Sequence, residues 1–223
     1  MEKVDYSNTK VKKPWGSEYL IYQNPNVAIW LLNILKGQNT SLHCHPKKKT
    51  GLVLLTGKAS VKLGFYDKKV LESPAKVMIR PGLFHSTKAL SKDSIYLLEL
   101  ETPVDKEDLV RYKDEYGREE KPYEGQDSMV KLNKNDTIFG EPELGKSLEY
   151  YFNSTKVTIE IHVNTASIIN RSKDTIIAII DGGMVSKNGS FVLCPGDIIY
   201  PETINRLAEV FSIKSHLTIL TVK

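Results

Sequence analysis

The feature that most constrains the fold is a series of short apolar segments, each separated from the next by residues that favour turns. The segments are rich in valine, isoleucine and tyrosine, and they are too short and too closely spaced for helices. They span residues 27–35, 51–55, 60–65, 77–79, 95–101, 157–163, 166–169, 175–180, 190–193, 198–200 and 217–222. Turn residues such as Arg80-Pro81-Gly82 and Asp181-Gly182-Gly183 stand between them. The pattern predicts an all-β protein, a sandwich or a barrel.

Composition limits the functions open to such a protein. The 223 residues are 40% hydrophobic, enough for one large domain or two small ones. The net charge of +4 is no nucleic-acid signature, and no apolar run approaches the roughly 20 residues of a membrane helix. The first ten residues lack an apolar core, so we expect no signal peptide. The two cysteines lie far apart, which favours a reducing cytoplasm over a disulfide framework.

The middle of the chain differs from its two flanks. Residues 103–146 are charged and carry scattered glycine and proline. We expect a short helix within 104–116 and a linker or loose covering segment over 117–146. Because a strand series stands on each side, the sequence suggests a duplicated β-domain. A weak repeat supports this, since residues 79–85 resemble 199–205 and place His85 opposite Asn205.

Three of the five histidines form the most informative pattern. His43 and His45 are two residues apart, so on a strand both imidazoles project from one face. His85 follows the Arg80-Pro81-Gly82 turn. Imidazoles gathered in this way are the start of a divalent metal site. Cys44 lies between the first two histidines and should point to the opposite face, into the core, whereas His162 has no partner histidine nearby and is interpreted as structural.

The spacing around these histidines resembles the two cupin motifs. Gly37-x5-His43-x-His45-x4-Thr50-x6-Gly57 is similar to the first motif, and Pro81-Gly82-x-x-His85 is similar to the second. The resemblance implies a double-stranded β-helix barrel with a metal ion inside its mouth. The family pattern has glutamate where this chain has Thr50. Three histidines would still leave an open coordination position, which catalysis needs.

The first half also resembles the cupin domain of type II mannose-6-phosphate isomerases. The similarity lies in residues 13–19, 40–45, 53–59, 98–101 and 107–118, and covers about 13–119. The chain departs from that family at two places. His43 replaces a glutamine, and Lys48-Lys49-Thr50-Gly51 replaces an Arg-x-Glu-His stretch that supplies two metal ligands. The isomerase activity of that family is therefore left open.

The remaining site residues are assigned from the resemblance and from chemistry. His43, His45 and His85 would hold one divalent ion, either zinc, manganese, nickel or iron. Glu99 and Glu101 share a face of the 95–101 strand and are candidate bases, although at least one of them is expected to face solvent. Lys48 is a candidate for catalysis and, with Arg111, for binding a phosphate or carboxylate.

Each of these assignments has a structural alternative. Residues 47–49 carry three lysines, which usually form a solvated loop. Arg111 and Arg118 would then serve only packing, through ion pairs with Asp108 or Asp114.

The resulting prediction is two tandem double-stranded β-helix (cupin) barrels. The first, 13–119, would bind metal; 120–146 would be a linker or covering segment; and 147–223 would be a degenerate second cupin without metal ligands. The expected function is a cytoplasmic sugar-phosphate or nucleotide-sugar isomerase or epimerase in the supply of surface-polysaccharide precursors. The alternatives are a three-histidine non-haem iron dioxygenase and a non-catalytic sugar-binding module. A small-molecule partner and a homodimer are expected, without nucleic acid or membrane.

Overall fold

Twelve strands lie among the described residues up to position 131. The structure, a computed structural model, describes residues 4–119 and 121–223; residues 1–3, and residue 120 at the start of the predicted linker, lie outside the described residues. The strands are β1 (Thr9–Lys13), β2 (Gly16–Gln23), β3 (Ala28–Ile34), β4 (Leu42–Cys44), β5 (Lys49–Leu54), β6 (Lys58–Leu63), β7 (Asp67–Glu72), β8 (Ala75–Ile79), β9 (His85–Ala89), β10 (Ile95–Thr102), β11 (Val110–Lys113) and β12 (Met129–Lys131).

These strands form two antiparallel sheets that enclose a core. The seven-stranded sheet has the order β12-β1-β2-β3-β10-β5-β8, and the five-stranded sheet has the order β11-β4-β9-β6-β7. Trp30, Leu32 and Leu97 of the first sheet pack with Ala59, Val61 and Ala89 of the second. The all-β prediction is confirmed, and the strands enclose the polar site described below.

The second half forms one antiparallel sheet and one helix. Its elements are β13 (Ser147–Phe152), β14 (Thr155–His162), β15 (Ile176–Val185), β16 (Phe191–Leu193), β17 (Ile198–Ile199), α1 (Pro201–Ala208) and β18 (Ser212–Val222). The sheet order is β13-β14-β18-β15-β16, with β17 paired to β15. Ile204 of α1 packs against Ile177 and Ile219 of the sheet. That this half is a degenerate copy of the first barrel stays a prediction.

The two halves share a hydrophobic core. On β10, Leu97, Glu99 and Glu101 alternate with Leu98 and Leu100, so successive side chains face opposite sides of the sheet. Leu98 and Leu100 belong to a cluster that includes Ile159, Ala178 and Leu220 of the second half. Both faces of the seven-stranded sheet are therefore covered, which explains why β10 is buried along almost its whole length.

Two predicted elements are wrong. Residues 104–116 do not form a helix; they form turns followed by β11, which pairs with β4. Their charged groups are satisfied by distant partners, since Asp108 accepts hydrogen bonds from the Lys47 and Lys48 backbone. Residues 166–169 do not form a strand either. Thr165–Ser167 is a single 3-10 turn, because the Asn164 side chain accepts a hydrogen bond from the Ser167 N–H.

One predicted turn and the repeat also need correction. Asp181, Gly182 and Gly183 lie inside β15, where two register shifts against β18 absorb the glycines as β-bulges. The repeat is not matched in local structure: His85 opens β9, whereas Asn205 lies in α1. Pro201 at the first helical position favours the helix, because it lacks the N–H that a helix start leaves unpaired.

The covering segment after β11 contacts the first half. A 3-10 turn at Gln126–Ser128 leads into β12, which pairs with β1. Among the described residues, no helix is long and apolar enough to cross a membrane.

Candidate metal centre

Short strands of the five-stranded sheet bring the three predicted histidines together. His43 on β4 pairs directly with His85 on β9, and His45 follows two residues later. The ring centroids of His43 and His85 are 4.4 Å apart, those of His43 and His45 5.0 Å, and those of His45 and His85 5.4 Å. Two imidazoles from neighbouring positions and a third from 40 residues later in the chain thus lie close together.

The hydrogen bonds of these imidazoles leave one nitrogen of each ring for another partner. The Nδ1 atoms of His43, His45 and His85 lie 2.8, 2.6 and 3.0 Å from the carbonyl oxygens of Ser41, Asp108 and Leu83. A carbonyl only accepts, so Nδ1 carries the proton and Nε2 keeps a lone pair. The Nε2 atoms of His45 and His85 are buried and have no hydrogen-bond partner within residues 4–119 and 121–223. This arrangement is typical of histidines that bind a metal ion.

The electrostatics of the cluster keep the imidazoles neutral. Burial lowers the pKa of His45 to about 4, and the nearby Lys48 contributes to this shift. Burial, together with His45, lowers the pKa of His85 to about 3. Burial and the other two rings hold the pKa of His43 well below its ordinary value. Near neutral pH the lone pairs are therefore available to a metal ion.

Glu99 adds a carboxylate to the three imidazoles. One oxygen of Glu99 and one nitrogen each of His43, His45 and His85 all lie within 4.8 Å of one another. Three nitrogens and one oxygen fit a divalent transition metal, and the orphaned Nε2 atoms agree with that fit. The sequence predicts Glu99 as a base and not as a member of this donor set. The signal available was its inward register on β10.

Glu99 differs electrostatically from Glu101. Burial and the Glu101 carboxylate raise the pKa of Glu99 above its ordinary value. Burial acts to raise the pKa of Glu101 too, but the ammonium groups of Lys106 and Lys48 outweigh it and lower that pKa. Both carboxylates are buried, so the expectation that one of them faces solvent is wrong. The barrel core covers both because Leu97, Glu99 and Glu101 share the inward face of β10.

Lys48 does not lie where a residue that binds a phosphate or carboxylate of the substrate would be expected. Its side chain is fully buried, and its ammonium group lies 2.8 Å from Glu101 Oε1. Asp108 draws the backbone of residues 47 and 48 inward, which turns Lys48 away from solvent. Lys48 therefore stands as the buried partner of Glu101, behind the metal cavity, and is not exposed to an incoming phosphate.

The histidines and Glu99 line a cavity of about 50 Å³. A buried ionic network forms part of its wall, and its centre is Glu18. The Glu18 carboxylate lies 3.1 Å from Lys106 Nζ and 3.5 Å from Lys13 Nζ, and it accepts a hydrogen bond from the Tyr123 hydroxyl. Lys13 also pairs with Glu124. The covering segment therefore contributes side chains to the cavity, which the sequence did not indicate.

This network fixes the charges of its members. Burial opposes ionisation of Glu18, but Lys106 and Lys13 outweigh it and lower the pKa of Glu18 to about 2. Burial acts to lower the pKa of Lys106, but Glu101, Glu18 and Glu99 together raise it above its ordinary value. The ammonium of Lys106 also lies 3.6 Å from the centroid of the Trp30 ring, as a cation–π contact.

The arginines are held mainly by the covering segment. Arg111 lines the cavity, but its Nη1 donates to the carbonyl oxygens of Lys121 and Pro122, and its Nη2 pairs with Glu124. Arg118 pairs with Asp114, as expected for a packing role, and with Glu124 as well. Both guanidinium groups thus fasten residues 121–124 over the site.

The remaining histidine and cysteine predictions concern residues outside the donor set. Cys44 is buried. His162 Nδ1 lies 2.8 Å from Ser167 Oγ, and His162 Nε2 lies 3.4 Å from Glu160. These contacts agree with a structural role for His162.

Comparison with known proteins finds structural similarity at low sequence identity, over part of the chain only. No protein-family model matches the sequence, and no curated protein matches it. Among solved structures, an uncharacterized conserved protein with a double-stranded beta-helix domain from Klebsiella pneumoniae has 13% identity and a TM-score of 0.41, over 44% of this chain and 84% of that one.

Two further solved structures resemble this chain with similar sequence identities and TM-scores. KdgF from Halomonas sp. has 18% identity and a TM-score of 0.39, over 42% of this chain and 84% of that one. The capsular polysaccharide assembling protein CapF from Staphylococcus aureus has 14% identity and a TM-score of 0.44, over 47% of this chain and 34% of that one. Each likeness covers less than half of this chain.

Proposed function

We propose that the chain is a metal-dependent enzyme that transfers a proton at carbon in a sugar-derived substrate, between neighbouring carbons as an isomerase or from one face of a single carbon to the other as an epimerase. The observation that carries the proposal is the set of orphaned imidazole nitrogens beside a buried carboxylate that has no ion pair within the described parts of the chain. The substrate class rests on the sequence motifs shared with sugar-phosphate isomerases.

The residues of the site would have separate roles in metal binding and in proton transfer. His43, His45 and His85 would hold the divalent ion, which when bound would polarise a carbonyl or hydroxyl oxygen of the substrate. Glu99 would take the proton from the carbon bonded to the carbonyl carbon and return it to the former carbonyl carbon, while the proton of the neighbouring hydroxyl moves to the former carbonyl oxygen. Glu101 and Glu18 are less suited to this role, because lysines hold their carboxylates in ion pairs.

The protein around the site would exclude water during the reaction. Trp15, Leu32 and Leu52 give the small cavity an apolar wall. Tyr123, which belongs to the covering segment, also lines the cavity and donates a hydrogen bond to Glu18. A dry cavity strengthens the charge interactions on which proton transfer depends.

The experiment is an anaerobic assay in D₂O on protein whose metal content has been measured. A panel of free, phosphorylated and nucleotide-linked sugars is incubated with the protein, and deuterium at carbon is followed by NMR. We expect about one metal per chain and solvent deuterium in one substrate class. His45→Ala should lose both, whereas His162→Ala, a histidine outside the cluster, should keep both. Full metal content with neither deuterium exchange nor interconversion of any sugar would contradict the isomerase proposal and favour the non-catalytic sugar-binding module.

A three-histidine non-haem iron dioxygenase is the second candidate. The imidazole nitrogens without a partner favour it, because imidazole ligands that leave coordination positions open suit Fe(II). Glu99→Gln separates the two roles of this residue. If Glu99 is the base, the variant keeps its metal and loses exchange; if Glu99 is a ligand, the variant loses metal affinity. Oxygen consumption that requires Fe(II) would establish the dioxygenase instead.

A further inference from the structure

A second cavity adjoins the metal cavity and is larger. It has a volume of about 310 Å³, against about 50 Å³ around the histidines, and the two cavities share Glu101 and Lys106 as lining residues. Pockets that bind small molecules usually span about 300–1,000 Å³. The metal cavity alone is below that range, whereas the second cavity, here called the outer chamber, lies within it.

Aromatic and aliphatic side chains form much of the outer chamber. Trp30, Leu20 and Val104 line it, and Tyr6 meets the Trp30 ring edge-on with centroids 5.7 Å apart. The Trp30 side chain is buried, and its indole Nε1 has no hydrogen-bond acceptor among the residues that the structure describes. The ring of Trp30, and not this buried nitrogen, is therefore what Trp30 contributes to the chamber wall.

The charges around the chamber restrict what it can hold. Asp5 and Glu107 are exposed carboxylates at its edge, and they would repel a phosphate. The Lys106 ammonium forms part of the wall and lies over the Trp30 ring, so it would repel a cation there. Its own charge is balanced by Glu18 at 3.1 Å, with Glu101 at 3.8 Å. An uncharged group suits this wall better than an ion of either sign.

We propose that the outer chamber binds an uncharged, hydroxyl-rich part of the substrate while the reacting carbons lie in the metal cavity. Sugar hydroxyls can donate to the chamber carboxylates, and the C–H groups of a sugar can pack against Tyr6, Leu20 and Val104. This inference rests on the proposed function for the identity of the reacting end, and it narrows the substrate to one whose remote part carries no phosphate.

The test uses free hexoses and the matching hexose 6-phosphates as probes of the metal-loaded full chain. Affinity is measured by calorimetry, and bound metal is measured on the same samples. Val104→Trp fills the chamber without changing a proposed metal ligand. Val210→Trp, at an exposed position of the second half, is the matched control.

We expect at least one free hexose to bind the parent chain more tightly than its phosphate does. Val104→Trp should weaken that binding at least tenfold with metal content unchanged, and Val210→Trp should have no effect. The proposed role of the chamber would be contradicted by an unchanged hexose affinity in Val104→Trp, by tighter binding of the phosphates, or by no hexose binding at all. Hexose binding that Val104→Trp removes, in a chain that binds no metal, would support the chamber and contradict the proposed function.

Discussion

The Nδ1 atom of His45 donates to the main-chain carbonyl oxygen of Asp108, 2.6 Å away, so a residue 63 positions later orients a proposed metal ligand. The same Asp108 accepts hydrogen bonds at its Oδ2 atom from the backbone N–H groups of Lys47 and Lys48, at 3.0 and 2.9 Å. Asp108 thus fastens the chain that follows His45 and orients the ring itself. Contacts of this kind fix the direction of the metal-binding nitrogen.

Removing the Asp108 carboxylate should weaken metal binding without removing a ligand. We expect Asp108→Ala to lower the affinity for Zn²⁺ or Co²⁺ by about 10- to 100-fold, because the loop after His45 loses two hydrogen bonds. Asp108→Asn keeps an acceptor oxygen and should retain most of the affinity. Competition with a chelator measures the dissociation constants, and the absorption spectrum of bound Co²⁺ reports the ligand geometry. Equal affinity in Asp108→Ala and the parent chain would contradict this role.

The sequence was sufficient to predict that the three histidines come together, but not to predict which groups surround them. His43 and His45 share a face through the two-residue period of a strand, and the Pro-Gly turn places His85 at the start of the adjoining strand. Glu99 and Glu101 share that same period, so the pattern could not tell which of them joins the cluster. The difference comes from Lys48 and Lys106, whose ion pairs depend on folding over long distances.

The errors in secondary structure have a similar origin. The helix α1 had local signals, namely Pro201 at its start and Glu202 paired with Arg206 one turn later. No local signal in the sequence shows that 104–116 is not helical, because the conformation of this segment is fixed by strand pairing with β4 and by the contacts of Asp108. Gly182 was interpreted as a turn residue, and only the pairing with β18 shows that it lies in a bulge.

The low pKa of Glu18 should appear in the pH dependence of stability. The ordinary pKa near 4.5 applies to the unfolded chain, and the folded value is about 2. Ionised Glu18 therefore stabilises the folded state above about pH 4.5, and this contribution is lost as the pH falls towards 2. The shift corresponds to about 3 kcal/mol at most. Urea unfolding of the parent chain and of Glu18→Gln, between pH 2.5 and 7, measures the difference. It should grow with pH up to about 5 and then level off, whereas a constant difference would show that the network does not hold Glu18 ionised.

The shared core predicts that the two halves unfold together. Ile159 is fully buried in the second half and belongs to the cluster that includes Leu98 and Leu100. We expect Ile159→Ala to lower the free energy of unfolding by about 2–5 kcal/mol. Trp15 and Trp30 are the two tryptophans of the chain and lie in the first half. Their fluorescence should follow the same destabilised transition as circular dichroism. The exposed Val210→Ala should change little, and a tryptophan transition unaffected by Ile159→Ala would mean that the halves unfold separately.

The bulge in β15 predicts a sharp difference between two glycines with similar backbone angles. Gly182 has φ of +71°, and a Cβ atom there would lie 2.1 Å from the main-chain oxygen of His216. Gly189 has φ of +83°, but a Cβ atom there would meet nothing within 4 Å. Gly189→Ala should therefore cost only the strain of a left-handed backbone, about 1–3 kcal/mol. Gly182→Ala adds a backbone overlap and should cost clearly more, because β15 must move away from β18. Urea unfolding of both variants under one condition measures the costs, and equal costs would show that the bulge relaxes without penalty.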